Sequence, residues 1–200
     1  MTAPPSDLLA YHLGFVVRDL DAVAERYQRL LGVDRWRSHD LQVARVPWDA
    51  RSTDARLRVA FGRAAGLTIE LIQPLEGRTP HLDFLEAHGD GVQHIGFWTA
   101  DVRVAVEHAV SQGARITLAR YDPASTAFVQ LSPSSSLEAI VGALDPGRVA
   151  YVDPGLGGVQ LEFVGPAAAP GLRAWMEDDF PRIIQPPPPW ETPSPTAPPA

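Results

Sequence analysis

No cysteine, lysine or asparagine occurs in the 200 residues, and each absence removes a class of chemistry. Without cysteine there is no disulfide, thiolate metal site or thiol nucleophile, and an oxidising compartment has left no mark. Without lysine all 17 basic residues are arginines, which excludes a Schiff-base amine, a lysine general base and the lysine of a phosphate-binding loop. Without asparagine there is no N-glycosylation acceptor. Chemistry is left to His, Asp, Glu, Ser, Tyr and Arg.

Long apolar runs are also missing. No stretch approaches the roughly 18 residues of a membrane helix, and the opening MTAPPSDLLAYHLGF has no basic segment ahead of its short apolar run. The formal charge of −7 is spread without an acidic block, a balance that disfavours neutralising many phosphates. A cytoplasmic globular protein with no nucleic-acid and no membrane partner is expected, and the 45% hydrophobic content is enough for a core.

What the sequence does contain is a repeat. YHLGFVVRDLDAV begins at Tyr11 and QHIGFWTADVRVAV at Gln93; His12 to His94 and Asp19 to Asp101 are both offset by 82 (94 − 12; 101 − 19). A shared offset over strand, turn and helix marks a duplicated module. In the first, LGFVV reads as a strand. Asp19 caps a helix with Leu20, Val23, Ala24, Tyr27, Leu30 and Leu31 inward, and Gly32 stops it. Strands are expected around Leu41 to Val46, Leu57 to Gly62 and Leu67 to Gln73, where Pro74 ends the ladder.

The second module repeats the β, α, β, β, β order. Its strand is Val92 to Thr99, its cap Asp101 and its helix stop Gly113. Further strands are expected at Arg115 to Ala119, at a middle segment near Phe128 to Leu131 or Ala139 to Val141, and at Gly158 to Val164, with Val149 to Val152 just before the last. SPSSSLEAIVGALDPG reads as an inserted loop or short helix. Module one spans about 10–75, a connecting helix about 79–89 and module two about 91–165, making one domain over 8–166. The proline-rich 167–200 reads as a low-complexity tail that cannot build a core; a sharper expectation is that Trp175, Phe180 and Trp190 dock on the domain or on a second subunit.

Equivalent strands carry equivalent side chains: His12 and His94 in the first strand of each module, Glu70 and Glu162 in the last. A lone carboxylate among Ile, Leu, Val and Phe faces a desolvation cost of several kcal/mol unless paired or coordinated. Two imidazoles and two carboxylates suit one divalent ion, Zn, Ni, Co, Mn or Fe(II), with open positions for water or substrate. Strand alternation places Gly96 and Trp98 on the face of His94, and Gly14 on that of His12. The glycines then leave room at the metal, while Trp98, with Trp48 opposite, forms a flat wall of the substrate pocket. His39, His81, His88 and His108 have no repeat partners and are expected to be solvated.

With these residues, 10 to 165 resembles the vicinal oxygen chelate superfamily, which includes glyoxalase I, methylmalonyl-CoA epimerase, extradiol dioxygenases and bleomycin-resistance proteins. LTIELIQPLEG and GVQHIGFWTADV look most like the epimerase and glyoxalase I branches. The resemblance implies an α+β fold of paired βαβββ modules forming a curved mixed sheet around a metal-binding cleft, with His12, Glu70, His94 and Glu162 as ligands. It further implies a homodimer and a small-molecule carbonyl substrate. The activity implied is that of a lyase or isomerase acting through an enolate, with Glu162 or Glu70 as the catalytic base. The further glutamate of the epimerases has no counterpart, because PWDARSTDARLRVAFG offers only Asp49 and Asp54. The alternatives are an Fe(II) dioxygenase of the same superfamily, where the position of Glu70 is not a ligand, and a non-catalytic small-molecule binding protein of the resistance type.

Overall fold

The computed structural model describes residues 5–43, 55–120 and 135–191. Trp48, Asp49, Asp54 and the strand considered near Phe128 lie outside these. The first module runs β1 (Leu9–Val16), α1 (Leu20–Leu31), β2 (Arg37–Val43), β3 (Ala55–Ala64) and β4 (Leu67–Glu76). A connecting helix α2 (Pro80–His88) leads to β5 (Gly91–Trp98), α3 (Val102–Ser111), β6 (Arg115–Ala119), α4 (Leu137–Ala143), β7 (Val149–Leu156) and β8 (Val159–Val164). The eight strands form one mixed sheet in the order β2-β3-β4-β1-β5-β8-β7-β6. The duplication is visible as pseudo-twofold symmetry: β1 and β5 pair antiparallel at the centre, flanked by the parallel pairs β1–β4 and β5–β8.

Local chemistry sets the boundaries. The Asp19 and Asp101 side chains accept hydrogen bonds from Ala22 N and Arg103 N, capping α1 and α3, and Gly32 ends α1 at φ 67°, where only glycine is unstrained. Thr79 caps α2 in the same way. Three expectations change. β4 runs past Pro74, because β1 stops pairing at Ile72 and the proline faces only β3. The middle strand of module two is β7; Ala139 to Val141 belongs instead to α4, which Ser136 caps. Leu30 and Leu31 are 66% and 52% exposed, since α1 lays only its Leu20 and Ala24 side fully against the sheet.

One face of the sheet packs α1 over module one and α3 over module two. The other face receives the C-terminal segment. After a 3-10 turn at Pro166–Ala168 come α5 (Ala169–Met176) and α6 (Phe180–Ile183), and Met176, Phe180, Ile183 and Ile184 bury at most 4% exposed among Leu57, Val59, Phe61 and Ile72. The Thr68 hydroxyl donates to the Ile183 carbonyl, and Arg37 and Arg35 meet Asp179 at 2.5 and 3.0 Å. Burial raises the pKa of the Asp179 carboxyl, but Arg37 and Arg35 more than reverse this and hold it below the usual range. Residues 166–191 are therefore part of the core rather than a draped tail, and Trp175, Phe180 and Trp190 pack on the domain itself. Composition missed this because the apolar anchors are sparse and set among prolines.

Replacing Phe180 by alanine is expected to cost about 3–5 kcal/mol in urea unfolding, whereas Leu31→Ala should stay within about 0.5 kcal/mol. A Phe180→Ala protein as stable as the parent would show that the C-terminal segment is not part of the cooperative core.

Candidate metal centre

The four repeat-related side chains meet at the middle of the sheet. In the β1–β5 ladder His12 stands opposite Gly96, and Gly14 opposite His94, so each imidazole lies over the other module's glycine. A Cβ on Gly14 would fall 1.8 Å from His94 Cε1, and one on Gly96 would fall 2.0 Å from His12 Cε1. The two glycines make room for ligand rings, not for substrate. β4 and β8, parallel to β1 and β5, bring Glu70 and Glu162 alongside.

The donor atoms converge. Glu70 Oε2 lies 2.8 Å from His94 Nε2 and 3.0 Å from His12 Nε2; Glu162 Oε2 lies 3.2 and 3.7 Å from His12 and His94; the two Nε2 atoms are 2.9 Å apart. All four ligand atoms fall within 4.8 Å of one another, and all four residues are buried. Ligands about 2.0–2.1 Å from a tetrahedral ion sit about 3.3 Å apart, which these separations bracket. Glu162 Oε2 is buried without a hydrogen bond, an orphan that coordination would satisfy. The residues fit a divalent cation, and such an ion would balance two buried carboxylates. Protein groups alone balance them less evenly. Burial raises Glu70, yet His12 and His94 more than reverse it and hold it well below the carboxylate range. His12 rises because Glu70 and Glu162 outweigh its burial. Burial leads in raising Glu162, and the Glu70 charge adds to it.

The surroundings of the four were not visible in strand alternation. Tyr11 and Gln93 are the unpaired residues of two β-bulges, each immediately before a ligand histidine and again 82 apart (93 − 11). A bulge turns the extra residue's side chain away from simple alternation. Gln93 Oε1 accepts from His94 Nδ1 at 2.8 Å and from His81 Nδ1 at 3.1 Å, so both rings carry their proton on Nδ1, and the His94 Nε2 lone pair is turned to the centre. His81, expected to be solvated, is 1% exposed; burial, then the nearby His94, pushes it down to about 4, so it is neutral. Tyr151, which β7 sets opposite Glu162, donates to Glu162 Oε1 at 2.7 Å. Burial, then the charges of Glu162 and Glu70, push the Tyr11 and Tyr151 phenols well above their ordinary value.

A cavity of about 290 Å3 opens from Glu70 and Glu162, past Tyr11, His81 and Tyr151, under a roof of Leu172 and Trp175 from α5. Trp98, expected as its wall, stands behind it: the indole is fully buried, stacked on Tyr11 at 4.2 Å and met edge-on by Trp190 at 5.5 Å. The flat apolar surface inside is Trp175, from the segment that composition set aside.

Gly96→Ala and Gly14→Ala are each expected to displace an imidazole and abolish stoichiometric metal binding, read by elemental analysis after dialysis. Gln93→Leu should fold but bind metal about 10–100-fold more weakly. Unchanged metal content in the glycine variants would refute the crossed arrangement of the histidines.

Residues 11–129 match the family model described as the Glyoxalase/Bleomycin resistance protein/Dioxygenase superfamily. Among solved structures, the methylmalonyl-CoA epimerase of Mycobacterium tuberculosis is 25% identical with a TM-score of 0.50, the alignment covering 87% of this chain and 97% of the epimerase. A variant of the 4-hydroxymandelate synthase of Streptomyces coelicolor aligns at 20% identity and a TM-score of 0.51 over 78% of this chain. This chain spans about half of that synthase, 48%, so the likeness is one of fold. With the paired modules, the curved eight-stranded sheet and the crossed His–Glu centre, the chain belongs to the Glyoxalase/Bleomycin resistance protein/Dioxygenase superfamily.

Proposed function

We propose that the protein is a metal-dependent lyase or isomerase that moves a proton at a carbon next to a carbonyl. The observation that carries this reading is the unequal setting of two otherwise equivalent carboxylates. Glu70 Oε2 is pinned between both imidazoles. Glu162 is held by Tyr151 through Oε1, which leaves Oε2 without a hydrogen bond beside the cavity. The first arrangement suits a permanent anion and the second a proton acceptor whose direction is fixed by a phenol.

His12, Glu70, His94 and Glu162 would hold a divalent ion, which when bound would supply Lewis-acid polarisation of a carbonyl. Glu162 would leave the ligand set to take the carbon-bound proton at Oε2 and return it, while Tyr151 holds the carboxyl plane through Oε1. Gln93 keeps His94 in the tautomer that points its lone pair inward, and Trp175 with Leu172 keeps bulk water from the reacting carbon. The 25% identical epimerase, matched along nearly its whole length, supports an isomerase over an oxygenase. The fourth donor, Glu70, supports it as well.

The test is hydrogen exchange. Protein loaded with each candidate ion and incubated in D2O with α-substituted ketones, hemithioacetals and thioesters should wash out the proton next to the carbonyl of at least one class, read by NMR. Glu162→Gln is expected to lower this rate at least about 10²-fold, with Glu107→Gln on exposed α3 as an unaffected control. Fe(II)-dependent oxygen uptake without exchange would replace this reading with a dioxygenase; saturable binding with neither reaction would leave a resistance-type binding protein.

A further inference from the structure

The end of the cavity remote from the carboxylates is built differently from the rest. Arg120 follows directly on β6, and its backbone pairs with Val149 on β7. Its guanidinium is half-buried on the cavity wall. Its contact among the described residues is one 3.3 Å hydrogen bond to the Gln42 carbonyl, with no ion pair. Arg148 lines the same end and shares its charge with Asp145 at 3.2 Å. Among the described residues two guanidiniums therefore face one carboxylate, with exposed His39 at the rim. Burial and then Arg148 lower the Arg120 pKa, against a smaller opposing effect of Asp145. A half-buried cation beside a like charge is unfavourable unless an anion joins it.

Between this end and the metal centre the lining is apolar: Leu57, Val59, Ile72, Val149, Val164 and Leu172. Arg148 lies three residues along the chain from Tyr151, so the two ends are separated by about 10 Å at about 3.3 Å per residue. Among the described residues that stretch offers the amides of a pantetheine arm only the unpaired indole N–H of Trp175. At about 290 Å3 the space is at the small end of ligand pockets, about 300–1,000 Å3.

We infer that the cavity takes a free organic acid, with its carbonyl end at Glu70 and Glu162, an apolar or aromatic body under Trp175 and Leu172, and a carboxylate held by Arg120 and Arg148. The carbonyl end rests on the proton-transfer reading above; the carboxylate end does not. An acyl-CoA thioester is the rival source of negative charge, through its phosphates.

The experiment is calorimetric titration of the full-length protein, both zinc-loaded and after chelation. The probes are 5-phenylpentanoate, its uncharged amide, and 5-phenylpentanoyl-CoA. In both states the acid should bind about ten- to a hundredfold more tightly than the amide. Arg120→Met should remove that preference without weakening the amide, Arg120→Lys should restore part of it, and Arg148→Met, changed at the exposed rim, should reduce it. Equal binding of acid and amide, or an acid preference untouched in Arg120→Met, overturns the proposal. A preference confined to zinc-loaded protein places the carboxylate on the metal and also overturns it. So does Arg120-dependent binding of the thioester alone. Because binding is read without turnover, absence of proton exchange would defeat the proposed reaction and leave the acid site standing.

Discussion

The pairing of β1 with β5 is the contact on which the centre depends. Either module alone has one imidazole and one carboxylate, too few for a closed metal site. The antiparallel register sets His12 against Gly96 and Gly14 against His94, and each ring occupies space that the opposite strand provides by having no side chain. The glycine is as much a part of each ligand as the imidazole, since a methyl group there would stand inside the ring.

Duplication gives symmetry, and the side chains around the centre break it. The residue opposite Glu70 in the ladder is Phe61, and the residue opposite Glu162 is Tyr151. Both rings pack beside the centre, and the hydroxyl is the difference that lets one carboxylate accept an oriented hydrogen bond. The bulge residues differ in the same way: Tyr11 faces the cavity, whereas Gln93 reaches behind His94 to His81. A neutral His81 buried against Gln93 acts as part of the scaffold of the metal centre.

The fixed offset of 82 made both helix caps and the two centre histidines legible, because repetition in register survives without knowledge of the fold; Glu70 and Glu162, 92 apart (162 − 70), were legible only as the carboxylates of equivalent last strands. What escaped was whatever departs from ideal periodicity. Strict alternation put Gln93 on the face opposite His94, and the bulge moved it. Alternation also assigned Trp98 to the cleft, where the second bulge of the same ladder left Tyr11 in its place. Tyr151 was hidden because the length between α3 and β8 obscured which segment was the middle strand. The C-terminal segment was misjudged for another reason: Met176, Phe180 and Ile184 are too few to show a period, and they bury well only because the sheet presents an open apolar face.

The roof of the cavity is supplied by α5, which follows all four donor residues in the chain. Chain growth proceeds at about 5–20 residues per second and N-terminal parts fold first, so His12, Glu70, His94 and Glu162 have all left the ribosome before α5 and α6. The four donors can therefore come together as an open trough and be covered afterwards. Trp190, edge-on to the Trp98 that stacks on Tyr11, then ties the segment after α6 to the wall of the site. Enclosure of the centre thus depends on the segment after β8, without which the four donors would line an open trough.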